Sequence, residues 1–164
     1  MGGVRFETIL SDACSKFVEE IDKFESWLIS ESDFRCAIYA ELVKVMDEKR
    51  LTNYPILTEY NYGDKKADIS LGEDRDVAVE LKFGFYRWGP SPRQGIRDGR
   101  DQLAYYLKNG AKKAYLVFFD FWPPGERASA SEIVDVDEFG LSGEWKEVST
   151  HQGFVGDLLI ATIT

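Results

Sequence analysis

The sequence predicts a single α/β domain on three observations. Helical periodicity fills the first third of the chain, short β-prone runs follow Pro55, and one further helical segment precedes the apolar run Ala114–Phe119. A length of 164 residues suits one core. A composition of 44% hydrophobic and 30% charged residues excludes disordered and fibrous classes. No apolar stretch nears the roughly 18 residues of a membrane span. The start, Met1-Gly2-Gly3-Val4-Arg5-Phe6-Glu7, lacks the basic and then apolar pattern of a secretory signal, so a cytoplasmic protein is expected. Cys14 and Cys36 make neither a disulfide framework nor a metal knuckle; both read as small buried hydrophobes on helices.

The elements follow in order. Phe6, Leu10, Ala13, Phe17, Ile21, Phe24 and Leu28 recur at spacings of three and four, one face of an amphipathic helix. Ser30, Ser32 and Asp33 offer N-caps for a second helix over 33–49. Strands are expected at 56–62, 66–71 and 77–83, the last two joined by the polar loop 72–76. The Gly/Pro-rich stretch 84–96 reads as a long loop, and 98–109 as a helix capped by Asp98 and stopped at Gly110. Ala114–Phe119 has the unbroken apolar character of a strand buried on both faces. Two or three further strands, one over Asp157–Ile163, complete a chain with no repeat or linker.

Two strands concentrate the charged chemistry. In Lys66-Ala67-Asp68-Ile69-Ser70-Leu71, alternation sends Ala67, Ile69 and Leu71 to one face and Lys66, Asp68 and Ser70 to the other. Val77, Val79, Leu81 and Phe83 are apolar, so Ala78, Glu80 and Lys82 share the opposite face. A hairpin centred near Asp74 sets Asp68 opposite Glu80, with side chains about 5 Å apart. Two carboxylates so placed repel, and a bound divalent cation turns that cost into a gain. Glu41 falls within the apolar stripe Phe34, Ala37, Ile38, Leu42, Val45 of the second helix, where a carboxylate is expensive unless paired or metal-bound.

Asp68, an eleven-residue gap and then Glu80-Leu81-Lys82 resemble the PD-(D/E)xK motif of the restriction-endonuclease-like nuclease superfamily. The order helix, three strands, helix, strand over about 33–120 is similar to that fold's core, here with an extra N-terminal helix and extra C-terminal strands. The resemblance implies that Asp68, Glu80 and the main-chain carbonyl of Leu81 bind Mg²⁺ or Mn²⁺. It implies that Lys82 orients the attacking water and that Glu41 matches an acidic residue on the preceding helix. Gln102 and Tyr106 resemble the Q-x-x-x-Y signature of the recombination-type exonuclease branch. Ala67 departs from the proline in the motif's name, at a position where the family is commonly degenerate.

The expected substrate is DNA, with RNA open. A net charge of −9 opposes nonspecific polyanion binding, yet Lys82, Arg87, Arg93, Arg97 and Arg100 face only Asp98 across that stretch. Phe83, Phe85, Tyr86 and Trp88 add stacking surface there. Simpler readings stand beside these. Glu80 and Lys82 form a solvated strand face with a salt bridge, Tyr106 is a core tyrosine, Glu41 is a helix edge, and the arginines are solvated. His151 has no partner pattern and receives no role. The competing function is a catalytically silent module of the same fold that binds nucleic acid or protein. A homodimer, or a basic partner protein that offsets the acidity, is compatible with either.

Overall fold

The computed structural model describes residues 6–24, 31–51, 53–84, 90–128, 139–149 and 155–163. Three helices, α1 (Phe6–Phe24), α2 (Glu31–Glu48) and α3 (Pro92–Lys108), accompany six strands among these residues. The strands are β1 (Ile56–Tyr62), β2 (Lys65–Leu71), β3 (Val77–Gly84), β4 (Lys113–Asp120), β5 (Leu141–Ser149) and β6 (Val155–Ile163). They form one mixed sheet in the order β1-β2-β3-β4-β6-β5. Only β3 and β4 run parallel, and α3 makes the crossover that parallel pairing requires.

Two apolar layers flank this sheet. Phe17 and Cys14 of α1 and Phe34, Ile38 and Leu42 of α2 pack on Ile69, Val79, Leu81, Val117 and Phe119. On the other face Ile96, Leu103 and Tyr106 of α3 cover Ala78, Leu116 and Phe118. Phe119 centres the first layer, stacked on Phe83 at 5.1 Å and edge-on to Phe17 at 5.4 Å. Truncating it to alanine is expected to remove about 3–5 kcal/mol. Among the described residues, no helix is long and apolar enough to cross a membrane.

The strand boundaries agree closely with expectation, and β4 is buried along nearly its whole length. The helix ends do not agree. α3 begins at Pro92, six residues before the expected start, with the Ser91 hydroxyl accepting from the Gln94 N–H at 3.3 Å. Asp98 is no cap; its carboxylate accepts from the Gln94 side chain at 2.8 Å. Gly95, expected in the loop, and Gly99, expected in the first turn of the helix, let α3 lie close against β4. A Cβ on Gly99 would stand 2.6 Å from Leu116 Cδ1, and one on Gly95 would stand 2.9 Å from Phe118 Cε2. Ser32 and Asp33 sit inside α2 rather than before it, while Ser30 and the expected continuation of α1 to Leu28 lie outside the described residues. Cys14 is buried, its thiol pushed up to about 12 by desolvation, but Cys36 is exposed.

One departure lies beside the candidate site. Ala67 packs in the layer under α3, whereas Ile69 and Leu71 pack under α2, so the alternation of β2 breaks at Asp68. In β1 the same switch separates Ile56 from Tyr60 and Tyr62. Glu59, opposite Asp68 in the β1–β2 register, has φ +53° and leaves a gap in the ladder between Thr58↔Ile69 and Tyr60↔Ala67. A left-handed residue inside a strand turns the following side chains to the other face, which accounts for the shared switch.

Candidate functional site

β2 pairs with β3 at Ile69↔Val79, Ser70↔Ala78 and Leu71↔Val77, the register expected from the hairpin. The next position is Asp68 opposite Glu80, and the ladder stops there. The Leu81 N–H donates to Asp68 Oδ2 at 2.8 Å, so a side chain takes over a main-chain donor where the strands part. Burial raises the Asp68 pKa; the Leu81 N–H and the charges of Arg35 and Lys82 pull it back.

Glu80 is 4% exposed, and its pKa is pushed up to about 7 by burial and then by the charge of Asp68. Lys82 Nζ lies 3.6 Å from Glu80 Oε1 on the shared face. The Tyr106 hydroxyl reaches Glu80 Oε2 at 2.7 Å and the Lys66 carbonyl at 2.8 Å. One hydroxyl proton serves one acceptor well. The Tyr106 hydroxyl therefore divides its proton between Glu80 Oε2 and the Lys66 carbonyl. Burial, with the charge and hydrogen bond of Glu80, also raises the Tyr106 pKa, so its phenol stays neutral.

α3 also brings Gln102 to this side, one turn before Tyr106. Its Oε1 is buried without a hydrogen-bond donor among the described residues. The expected basic face is largely occupied within the chain. Arg97 lies over the Phe139 ring at 5.5 Å, and Arg100 pairs with Asp101 at 2.8 Å and donates to the Phe139 carbonyl at 3.4 Å. Arg93 is half-buried in the first turn of α3. Arg87, Phe85, Tyr86, Trp88 and His151 lie outside the described residues.

On α2 the geometry separates two residues. Glu41 is 6% exposed and pairs with Lys44 at 3.3 Å, and its charge is felt by Lys16 on α1. The α2 side chain that meets the carboxylate pair is Arg35, six residues earlier and about 120° away around the helix. Its NH1 is 3.5 Å from Asp68 Oδ1 and 3.5 Å from Glu59 Oε1. No local pattern marks Arg35 or Glu59 in the sequence, because their meeting depends on how α2 crosses β1 and β2.

The donor set suits a small hard cation. Two adjoining carboxylates, both with raised pKa values, lie beside the Leu81 main chain, and magnesium commonly takes one or two protein carboxylates and completes its shell with water and phosphate. Among the described residues, no group of three or more His, Cys, Asp and Glu side chains is placed to hold a metal ion. The chain matches no family model, no curated protein and no solved structure.

Proposed function

We propose that the chain is a divalent-cation-dependent nuclease of the restriction-endonuclease-like fold, hydrolysing DNA phosphodiester bonds. One observation carries the reading: Asp68 and Glu80 converge where β2 leaves β3, with Lys82 3.6 Å from Glu80. Asp68, Glu80 and the Leu81 carbonyl would hold Mg²⁺ or Mn²⁺. The ion supplies charge stabilisation at the scissile phosphate and lowers the pKa of a bound water.

The chain's own groups do the rest. The Leu81 N–H fixes Asp68 by its Oδ2, which leaves Oδ1 toward the site. Tyr106 fixes Glu80 by its Oε2, so Oε1 faces Lys82. Lys82 directs the attacking water toward phosphorus, opposite the leaving ester oxygen, and accompanies the charge that grows on the phosphoryl oxygens. Gln102 Oε1 accepts from a water or a substrate group. Glu41 stands outside this set in its role, as a buried carboxylate between α1 and α2 paired with Lys44. Arg93, with Arg87 from the stretch before α3, supplies the strand contact that an acidic body otherwise lacks.

A second reading, a silent module of the same fold that binds a basic partner or nucleic acid, is favoured by the net charge of −9 and by the internal pairing of Arg97 and Arg100. Incubation with labelled single- and double-stranded DNA and RNA, in Mn²⁺, Mg²⁺ or chelator, separates the two. The nuclease reading expects metal-dependent products that disappear in Glu80→Gln and Lys82→Ala. Folded, Mn²⁺-binding protein that cuts nothing turns the assignment to the silent module, and cutting that survives both substitutions removes the site.

A further inference from the structure

The carboxylate pair has a cation of its own. We infer that Arg35 acts as a fixed positive charge in the candidate site and restricts it to a single divalent ion per chain. The inference rests on the proposed nuclease site and adds its stoichiometry.

The first support is the position of the guanidinium. One nitrogen, NH1, bridges Asp68 of β2 and Glu59 of β1 at 3.5 Å each, and the Arg35 side chain is only 19% exposed. Glu59 reaches that nitrogen from a left-handed backbone at φ +53°, a conformation that costs a non-glycine residue roughly 1 kcal/mol. The strain sits at the register position opposite Asp68, where it brings a second carboxylate onto the same arginine.

The second support is an account of the oxygens. Asp68 Oδ1 faces Arg35 and Oδ2 takes the Leu81 N–H. Glu80 Oε1 faces Lys82 and Oε2 takes the Tyr106 hydroxyl. Each of the four oxygens already has one protein partner, and each carboxylate oxygen carries two lone pairs. One hard ion can share Asp68 and Glu80 through the remaining lone pairs. A second ion on Asp68 Oδ1 would share that oxygen with the guanidinium and meet its positive charge at close range.

The third support is charge. Asp68, Glu80 and Glu59 against Arg35 and Lys82 leave a formal −1 when all are ionised. Without substrate, one divalent ion brings that sum to +1 and two bring it to +3; removing the guanidinium lowers both by one and frees Asp68 Oδ1. Glu41 of α2 pairs with Lys44 and does not offset that charge.

The test is the number of Mn²⁺ ions bound, read without substrate from the electron paramagnetic resonance signal of free Mn²⁺ during titration. Wild type is expected to bind one ion, lost in Asp68→Asn. Arg35→Gln is expected to bind two, and Arg35→Lys, which keeps the charge, one. Glu59→Gln is expected to bind one ion about tenfold more weakly, since the local charge then falls to zero. Two ions in wild type, or one ion or none in folded Arg35→Gln, overturn the inference while leaving the nuclease reading in place. No ion in folded wild type overturns the nuclease reading itself. If Arg35→Gln fails to fold, the wild-type and Arg35→Lys counts still decide: one ion in each supports the inference, and two in either overturns it.

Discussion

Glu80 in the middle of β3 and Asp120 at the end of neighbouring β4 are both buried carboxylates on adjacent parallel strands, yet their surroundings differ in kind. Asp120 is 0% exposed, and its pKa is raised to about 6, chiefly by burial. Its two oxygens accept the N–H groups of Trp122, at 3.1 Å, and Ala128, at 2.8 Å, so it folds its own loop around itself. Glu80 has no backbone donor. Its partners come from α3 and its own strand, and the second-largest influence on it is another carboxylate. A structural acid closes its hydrogen bonds locally. Glu80 instead sits in a conflict between like charges that the protein leaves for an outside cation to relieve.

Substitutions sharpen that contrast. The largest effect is expected from Glu80→Gln, with metal-dependent cleavage falling about a thousandfold in single-turnover assays. The same substitution is expected to stabilise the metal-free protein at pH 8 by about 2–3 kcal/mol in urea denaturation, because the buried charge is gone. Activity retained, or stability lost, would place Glu80 with Asp120 as a structural acid.

The pH dependence of the metal-free protein comes next. Both folded pKa values lie above their unfolded ones, so both carboxylates favour the folded state most when protonated. Their contributions are complete below about pH 4 and fade as pH rises, through about 6 for Asp120 and about 7 for Glu80. Wild-type stability is therefore expected to fall by about 3 kcal/mol or more between pH 4 and 8. In Glu80→Gln the decline should end near pH 6. Stability that rises over this range would refute the account of both residues.

Asp120→Asn is expected to lower stability by about 2 kcal/mol, since one of its two N–H donors would then face an amide NH₂. Its cleavage, if the comparison holds, stays within about twofold of wild type. The smallest effect is expected for Tyr106→Phe: about 1 kcal/mol of stability and about a tenfold loss of cleavage, as Glu80 loses the hydroxyl that fixes its orientation.

How far the sequence revealed this depended on the range of the forces. Alternation located β1, β2 and β3 within a residue or so and set the register that points Asp68 at Glu80, because a strand's side-chain period is short and local. The expected α3 starts late because Gly95, with the glycines and prolines before it, suggests loop on propensity alone; the reason for Gly95 is the nearness of Phe118, which is tertiary. Alternation puts Lys82 on the face of Glu80, and Tyr106 stands out through the resemblance of Gln102 and Tyr106 to a Q-x-x-x-Y signature. Arg35 was not, because its ion pairs join α2 to two strands through a left-handed glutamate that no residue pattern announces. Ala67 was assigned to the wrong face for the same reason.

The early parting of β2 from β3 has a consequence for how the molecule breathes. Beyond Asp68, β2 keeps its rungs to β1 at Tyr60↔Ala67, Asn61↔Lys66 and Tyr62↔Lys65, but toward β3 and α3 side chains replace the ladder: Asp68 takes the Leu81 N–H, the Tyr106 hydroxyl meets the Lys66 carbonyl, the Asp64 N–H donates to the Tyr105 hydroxyl at 2.9 Å and Lys65 lies over the Tyr105 ring. The tip of the β1–β2 hairpin is thus fastened to α3 by side chains rather than to β3 by main-chain rungs. Its amides should exchange with solvent deuterium through a low-energy opening, well before those of Val79, Val117 and Ile160 in the centre of the sheet. Asp68, which would grip a cation, is also the side chain that fastens β2 to β3, so loading the site and quieting this tip are coupled through one carboxylate.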